Sequence, residues 1–121
     1  MIRLVGVALD CPDPAVLAAF YRDLLDGQVL WTDADSVGVQ VPGGLVQAQR
    51  VPNHQPPTWP SGSVPKQLHL DIGVDELDSA EARAVALGAT PAGYQPAPER
   101  WRVLLDPAGH PFCLTTVFPR T

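Results

Sequence analysis

The sequence predicts an α+β domain in which one βαβββ module occurs twice. Three observations predict this class. Two apolar, strand-like segments each lead into an acid-capped helical segment, each helical segment ends at a glycine, and short strand-like runs follow each glycine. The two copies repeat at a spacing of about 60 residues, as in proteins built from internal repeats. We therefore expect two modules that form curved mixed sheets around a cleft, and we expect the cleft-facing residues to decide the function.

The first module is predicted to cover residues 1–51. Residues 2–9 are rich in apolar and β-branched types, which favours a strand. Asp13 predicts a helix start, because its carboxylate accepts hydrogen bonds from unpaired amides and Pro14 needs no amide partner in the first turn. The helix is predicted to end at Gly27 and to bury Leu17, Phe20, Tyr21 and Leu24. Short strands are predicted over residues 28–32, 37–41 and 45–51.

A proline-rich linker is predicted over residues 52–65, which read PNHQPPTWPSGSVP. Proline lacks an amide hydrogen and its ring clashes with the preceding turn, so this segment is not expected to be helical. Trp59 within the linker requires apolar cover. It is either a lid over the cleft that stacks on a planar ligand or a clamp that holds the linker to the surface.

The second module is predicted to cover residues 66–121. Its opening strand is predicted over residues 67–74, and Asp75 is predicted to cap the helix that follows, with Asp78 in a capping-box position. This helix is predicted to end at Gly88 and to face the core with Leu77, Ala80, Ala84 and Leu87. Further strands are predicted over residues 90–95, 101–105 and 111–117, with a turn at 106–109.

The composition describes one domain over residues 1–121, with an ordinary apolar fraction of 45%. The net charge of −5 argues against a nucleic-acid surface, which needs clustered Lys and Arg. No apolar run is long enough for a membrane span, and the N-terminus does not read as a signal peptide. Cys11 and Cys113 do not make a disulfide framework, so we expect free thiols in a cytoplasmic protein.

His69 and Asp71 are the first candidate site residues. They are two positions apart on a predicted strand, so they face the same side at a separation of about 7 Å along it. A pair that faces the cleft can orient or deprotonate a ligand, which makes both candidate catalytic and ligand-binding residues. The alternative is that His69 is only hydrogen-bonded inside a partly filled cleft.

Aromatic, basic and thiol side chains complete the candidate set. Cys113 is either a soft metal ligand beside His69 and Asp71, a reactive thiol near a base, or a small buried apolar group. Trp31 and Trp101 are predicted sheet residues, and either one can line the cleft wall. Four basic residues at strand ends or beside the cleft favour an anionic ligand such as a carboxylate, unless they are ordinary solvated surface: Arg50, Lys66, Arg100 and Arg102.

Several stretches carry a family resemblance. In the first module they are LDCPD at residues 9–13 and AFYRDLL at residues 19–25. Beyond it they are PTWP at 57–60, QLHLD at 67–71, DELD at 75–78, ALGAT at 86–90 and WRVLLDPAGHPFCL at 101–114. Together they resemble the glyoxalase-like branch of the vicinal oxygen chelate superfamily, which includes glyoxalase, bleomycin-resistance and extradiol dioxygenase proteins. The resemblance implies paired βαβββ modules around an open cleft, often in a dimer.

The resemblance also implies where a metal ion would be held. Metal enzymes of the family place ligands on the first and last strands of each module. By position these are Gly6, Gln49 (or Gln47 on the same strand face), His69 and Cys113. Only His69 has the usual residue type, whereas a divalent ion held as a Lewis acid needs several anionic or imidazole ligands. We therefore expect that the standard divalent metal site is absent.

The sequence and the resemblance together predict a glyoxalase-like small-molecule binding protein that needs no cofactor. It would bind a planar, anionic organic ligand in the inter-module cleft through Gln47, Gln49, Trp59, His69, Asp71, Trp101, Arg102 and Cys113. The alternative is a lyase, isomerase or dioxygenase of the same fold. That enzyme would use acid–base chemistry, or a non-standard site of His69, Asp71 and Cys113 for zinc, nickel, iron or manganese. A homodimer is the one protein partnership expected, with no nucleic-acid or membrane partner.

Overall fold

The computed structural model describes residues 1–119, which fall into two compact units. The first unit covers residues 1–54 and the second begins at Gln55, so the boundary lies inside the proline-rich linker. Each unit contains one helix and a four-stranded mixed sheet in the order strand, helix, three strands. The predicted α+β class with two βαβββ modules is therefore confirmed.

The first unit follows the predicted element order closely. Its elements are β1 (Gly6–Cys11), α1 (Pro14–Leu24), β2 (Gln28–Thr32), β3 (Ser36–Val41) and β4 (Gly44–Arg50). The strands lie in the order β1-β4-β3-β2, with β1 parallel to β4 and the other pairs antiparallel. The opening strand begins later than the predicted residues 2–9, because residues 1–5 are exposed and lie outside any strand.

Helix α1 begins and buries its core face as the sequence predicts. The Asp13 carboxylate accepts a hydrogen bond from the Ala15 amide at 3.1 Å, and Pro14 occupies the first turn. Predicted core residues Leu17, Phe20 and Tyr21 are buried, while Leu24 is half-buried. The helix ends at Leu24, ahead of the predicted Gly27. The apolar stripe packs on β3 and β4, whose buried residues include Val37, Val39, Val46 and Ala48.

The second unit repeats the arrangement with shorter strands. Its elements are β5 (Leu70–Gly73), α2 (Leu77–Leu87), β6 (Thr90–Pro91), β7 (Trp101–Leu105) and β8 (Pro111–Thr115). The strands lie in the order β5-β8-β7-β6, with β5 parallel to β8 and the other pairs antiparallel. Strand β6 is shorter than the predicted residues 90–95, and β8 ends before residue 117.

The cap of helix α2 corrects a prediction. Glu76, not Asp75, is the N-terminal cap, and its carboxylate accepts hydrogen bonds from the amides of Asp78 (3.1 Å) and Ser79 (2.7 Å). Glu76 has extended backbone angles, so its longer side chain bends back to reach these first-turn amides. A side-chain hydrogen bond with Ser79, followed by these two amide bonds, lowers the pKa of the Glu76 carboxyl. Gly88 ends the helix as predicted, with φ of 123°.

The predicted apolar face of α2 is buried only in part. Leu77 and Ala84 are buried, whereas Ala80 and Leu87 are half-buried. The helix contacts strands β6, β7 and β8 of its own unit. Neither helix among the described residues has the length and apolar content that a membrane span requires.

Candidate functional site

The second sheet has one face against its helix and one face against a cavity. On β8, Phe112 and Leu114 are fully buried and alternate with Cys113, which is half-buried. The strand register places Asp71 of β5 and Val103 of β7 on either side of Cys113. Because side chains alternate along a strand, Asp71, Cys113 and Val103 share the face opposite α2.

This face forms the floor of a cavity of about 860 Å³. Every lining residue belongs to the second unit. Three aromatic rings lie around the cavity, those of Trp59, Trp101 and Phe118. The remaining lining residues are Lys66, His69, Asp71, Gly73, Pro96, Arg100, Val103, Pro111, Cys113, Thr115, Val117 and Pro119. The volume lies within the range of about 300–1,000 Å³ that is typical of small-molecule pockets.

Three of the predicted site residues come together on the cavity floor. His69 lies just before β5 and Asp71 lies within it, so the two side chains point the same way. The His69 Nε2 and Asp71 Oδ1 atoms are 3.1 Å apart. One donor atom from each of His69, Asp71 and Cys113 lies within 4.8 Å of the other two. The structure thus assembles the imidazole, the carboxylate and the thiol that the sequence predicted as a group.

The environment of Cys113 keeps its thiol protonated. Burial raises the pKa of Cys113, and the negative charge and hydrogen bond of Asp71 raise it further. The positive charge of Lys66 acts in the opposite direction. A thiol with a raised pKa carries little thiolate near neutral pH, so Cys113 is a poor nucleophile in this state.

Two cationic side chains line the cavity without an acidic partner. The Lys66 Nζ atom lies 4.9 Å from the centroid of the Trp59 ring. Among the described residues, neither the Lys66 nor the Arg100 side chain makes an ion pair. Arg22 and Arg50, in contrast, each pair with an aspartate in the first unit. Among the described residues, the cavity lining therefore carries two cations that form no ion pair, together with the Asp71 carboxylate.

Trp59 connects the linker to the cavity wall. Its indole Nε1 donates a hydrogen bond to the Tyr94 carbonyl at 3.3 Å, and the ring is half-buried. The linker therefore contacts the loop between β6 and β7. Trp59 thus holds the linker in place and also lines the cavity, while its stacking on a planar ligand stays a prediction.

Arg102 lies on the other face of the sheet from the cavity. Its guanidinium pairs with Asp78 at 3.0 Å and Glu81 at 3.5 Å, both on helix α2, and also donates to the Pro98 carbonyl. The hydrogen bond to Asp78 is the main reason that the pKa of Arg102 is raised. Its neighbour Trp101 faces the cavity, so the predicted ligand-binding role of Arg102 is not supported by its position.

The predicted residues Gln47 and Gln49 belong to the first unit. They lie two positions apart on β4, and the Gln47 amide nitrogen donates to the Gln49 side-chain oxygen at 3.1 Å. On the same sheet face, the Trp31 ring lies so close over Gly38 that a Cβ there would meet ring carbons at 2.3 Å. Trp31 Nε1 also donates to Ser36 Oγ at 3.0 Å. Neither glutamine lines the cavity of the second unit.

Three cavity residues were not selected from the sequence as binding residues. Lys66 and Arg100 were predicted only within a group of four basic residues, at strand ends or beside the cleft, that favours an anionic ligand. Their lack of acidic partners among the described residues is a tertiary property. Phe118 follows the last strand, and its ring lies against Gly73, where a Cβ would meet it at 2.7 Å. Gly73 within the predicted strand was the available signal for this close approach.

The positions that the resemblance assigns to a standard metal site do not fit such an ion. Gly6 offers no donor, and a Cβ built there would meet the Leu45 carbonyl oxygen at 2.2 Å. The Gln49 side-chain oxygen is already bonded to Gln47. A donor cannot be restored at position 6 without moving β1 away from β4. The four positions therefore retain only His69 and Cys113 as ligand types for a metal.

Comparisons with known proteins bear on the fold. The family model described as a glyoxalase-like domain matches residues 6–115. A comparison with curated protein sequences gives no match. Among solved structures, a variant of the fosfomycin resistance protein FosX from Listeria monocytogenes, complexed with Mn(II) and 1S,2S-dihydroxypropylphosphonic acid, is 19% identical. The alignment covers 98% of this chain and 95% of that chain with a TM-score of 0.73.

Two further structures are similar in fold. A glyoxalase/bleomycin resistance protein/dioxygenase family enzyme from Burkholderia phytofirmans is 20% identical, with 93% of this chain and 97% of that chain covered and a TM-score of 0.71. A glyoxalase-related enzyme from Fulvimarina pelagi is also 20% identical, with 95% and 88% covered and a TM-score of 0.67. At these identities the likeness concerns the fold, and the chemistry of the site has to be argued from its own residues.

Proposed function

The chain belongs to the glyoxalase-like domain family of the vicinal oxygen chelate superfamily, and we propose that it binds a planar, anionic organic molecule without the standard divalent metal site. The binding site is the cavity of the second unit. The observation that carries the proposal is the combination of aromatic walls with two cations, Lys66 and Arg100, that have no acidic partner among the described residues.

The aromatic walls support a planar ligand. Trp59 and Trp101 present large flat surfaces to the cavity, and Phe118 adds a third ring. Aromatic rings prefer offset or edge contacts with other rings, and such pairs add about 0.5–1.5 kcal/mol beyond area burial. A flat ring system gains binding free energy from these contacts. A flexible polar molecule of the same volume does not make them, and it also loses conformational entropy on binding.

The unpaired cations support an anionic ligand. A charge-assisted hydrogen bond from Lys or Arg to a carboxylate or phosphonate is stronger than a neutral one. Lys66 over the Trp59 ring is held where it can contact both the face and the charge of a bound aromatic acid. The ligand in the Listeria structure is a phosphonic acid, which is an anion of this kind.

His69 and Asp71 supply the polar anchor on the cavity floor. Their mutual hydrogen bond fixes the orientation of the imidazole, and Asp71 remains 64% exposed, so its second oxygen is available to a donor on the ligand. That Gln47 and Gln49 add anchors from the first unit stays a prediction. The proposal also includes a cytoplasmic location, a homodimer and the absence of a nucleic-acid partner.

A thermal-shift screen of metal-free protein in the presence of a chelator tests the proposal. Aromatic carboxylates should raise the melting temperature, since a ligand specific for the folded state stabilises it, while their neutral amides should not. Lys66→Gln and Arg100→Gln should each reduce the shift, and Arg22→Gln is the matched control on the first unit. Equal stabilisation by acids and amides, or no loss in either cavity variant, would contradict an anion-binding site.

An enzyme of the same fold is the second candidate function, and the cluster of His69, Asp71 and Cys113 favours it. The reaction would be that of a lyase, isomerase or dioxygenase, with His69 holding or moving a proton and Asp71 orienting its ring. The test is turnover of any molecule found in the screen. Product formation that is lost in His69→Ala while binding persists would establish catalysis, and binding without turnover would favour the binding protein.

A further inference from the structure

The donor atoms on the cavity floor form a set that differs from the one implied by the family resemblance. His69, Asp71 and Cys113 all belong to the second unit, and their donor atoms lie within 4.8 Å of one another. Asp71 is not among the positions that the resemblance assigns to a metal. The first-unit positions, Gly6 and Gln49, contribute nothing comparable.

The chemistry of this set selects a particular class of ion. Thiolate and imidazole ligands suit zinc and other thiophilic ions, whereas manganese and magnesium prefer sets made of oxygen atoms. Three protein ligands with an open fourth position are the pattern of an accessible zinc site rather than a closed structural one. We propose that His69, Asp71 and Cys113 bind one thiophilic divalent ion, such as zinc or cadmium, with the fourth position open to the cavity.

The geometry requires only a small adjustment. In a tetrahedral zinc site with bond lengths of about 2.0–2.3 Å, neighbouring donor atoms are separated by roughly 3.3–3.8 Å. His69 Nε2 and Asp71 Oδ1 are already 3.1 Å apart, and the thiol is within 4.8 Å of both partners. Rotation of exposed His69 and Asp71 side chains toward Cys113 closes the remaining distance without moving the sheet.

A substitution at Lys66 distinguishes the metal site from the anion-binding site of the proposed function. Its positive charge is felt at Cys113, so it opposes a cation at the cluster, whereas it attracts an anionic ligand. Replacing it should therefore strengthen metal binding and weaken binding of an aromatic acid. Opposite responses to one substitution distinguish a failure of the metal site from a failure of the anion site.

The test uses the full chain, purified without a polyhistidine tag and stripped with a chelator. Titration with Zn²⁺ against a chromophoric chelator should show one tight site per chain. Co²⁺ should give a thiolate-to-cobalt charge-transfer band in the near ultraviolet. Cys113→Ser should abolish that band and weaken Zn²⁺ binding by roughly tenfold or more, and His69→Ala should also weaken it by roughly tenfold or more.

Cys11→Ser is the matched control, because Cys11 is a buried cysteine of the first unit. It should retain both the cobalt band and the Zn²⁺ affinity, while Lys66→Gln should retain the band and bind Zn²⁺ more tightly. Circular dichroism of each variant checks that the fold is kept. Zn²⁺ binding that survives in both Cys113→Ser and His69→Ala, or a cobalt complex without a thiolate band, would overturn the proposal.

Discussion

The two sheets have the same strand order and connectivity, but the faces that they turn away from their helices differ in chemistry. On the first sheet, Gln47 is bonded to Gln49, and Trp31 covers Gly38 and donates to Ser36. These side chains form hydrogen bonds within the first unit. In the second unit, Lys66 and Arg100 lie outside the strands, line the cavity and lack acidic partners among the described residues. The His69–Asp71 pair lies on the open cavity floor.

The repeated backbone scaffold and the side-chain chemistry of the sheet face opposite the helix can therefore differ independently. The parallel pairing of β1 with β4 is repeated by β5 with β8, and each helix packs on strands of its own sheet. Backbone pairing and apolar burial hold this scaffold in both units. The residues at alternate positions on the opposite face are free to differ between the two units. On the first sheet Gln47 bonds Gln49, and on the second the same face lines a cavity.

Removing both cavity cations should cause the largest loss of ligand affinity among the substitutions considered. Charged hydrogen bonds contribute about 1.5–3 kcal/mol each, so Lys66→Gln with Arg100→Gln should lower the affinity for an aromatic carboxylate by at least about 100-fold. Isothermal titration calorimetry measures the change. The matched control is Arg102→Gln, which removes a cation from the opposite face and should lower protein stability while leaving affinity unchanged. An affinity loss in Arg102→Gln as large as in the double variant would contradict this assignment.

The closed character of the first sheet face predicts a large cost for any added side-chain atom at Gly38. A Cβ there would meet Trp31 ring carbons at 2.3 Å, so Gly38→Ala should lower the free energy of unfolding by about 1–3 kcal/mol through overpacking. Urea denaturation measures the loss. A Cβ at Gly93 of the second unit meets nothing within 4 Å, which makes Gly93→Ala the control with little expected change. Equal effects of the two substitutions would show that the Trp31 contact is unimportant.

The electrostatics of the second sheet face predict a slow thiol at Cys113. Burial and Asp71 raise its pKa, so less thiolate is present at any pH below that value and alkylation should be slower than for a free cysteine. In a Cys11→Ser background, the rate with iodoacetamide should rise with pH and level off only at a higher pH than for an unperturbed thiol, whose pKa is about 8.5. Asp71→Asn removes a negative neighbour, lowers the pKa, and should speed the reaction several-fold at pH 8. A slower reaction in Asp71→Asn would contradict this electrostatic account.

The glutamine pair provides the smallest expected effect. Because Gln47 and Gln49 already bond each other, replacing both with alanine should weaken binding of an aromatic acid by no more than about threefold, the scale of a neutral hydrogen bond. Calorimetry under the conditions used for the cation variants allows direct comparison. A loss that approaches that of the cation variants would mean that the first sheet supplies a principal anchor.

Local rules predicted much of the fold and part of the site. Apolar periodicity and turn residues predicted both helices and the order of strands, since these depend on short stretches of sequence. Strand alternation placed His69 with Asp71 and Gln47 with Gln49, because a period of two is a local property. The cap of helix α2 was predicted one residue too early, at Asp75 instead of Glu76. The extended conformation of one residue decides which carboxylate reaches the first-turn amides.

The remaining site residues depended on tertiary packing. Trp101 and Arg102 are adjacent on β7, so strand alternation places them on opposite faces of the sheet. Which of the two faces the cavity depended on the position of α2, whose carboxylates pair with Arg102. The cavity position of Lys66 depends on the path of the linker beside Trp59, and that of Phe118 depends on the chain turning back after β8. Periodic patterns in the sequence do not predict where a linker or a segment after a strand packs back onto the sheet.

The central claim is that the second unit carries the ligand site. Backbone amide chemical shifts recorded during titration with an aromatic acid from the screen, with a chelator present, test it most directly. We predict that the largest changes map to Lys66, the segment from His69 to Gly73, and the cavity-facing positions of β7 and β8. Changes that are largest around Gln47 and Gln49 on β4, with the cavity residues unaffected, would contradict the claim.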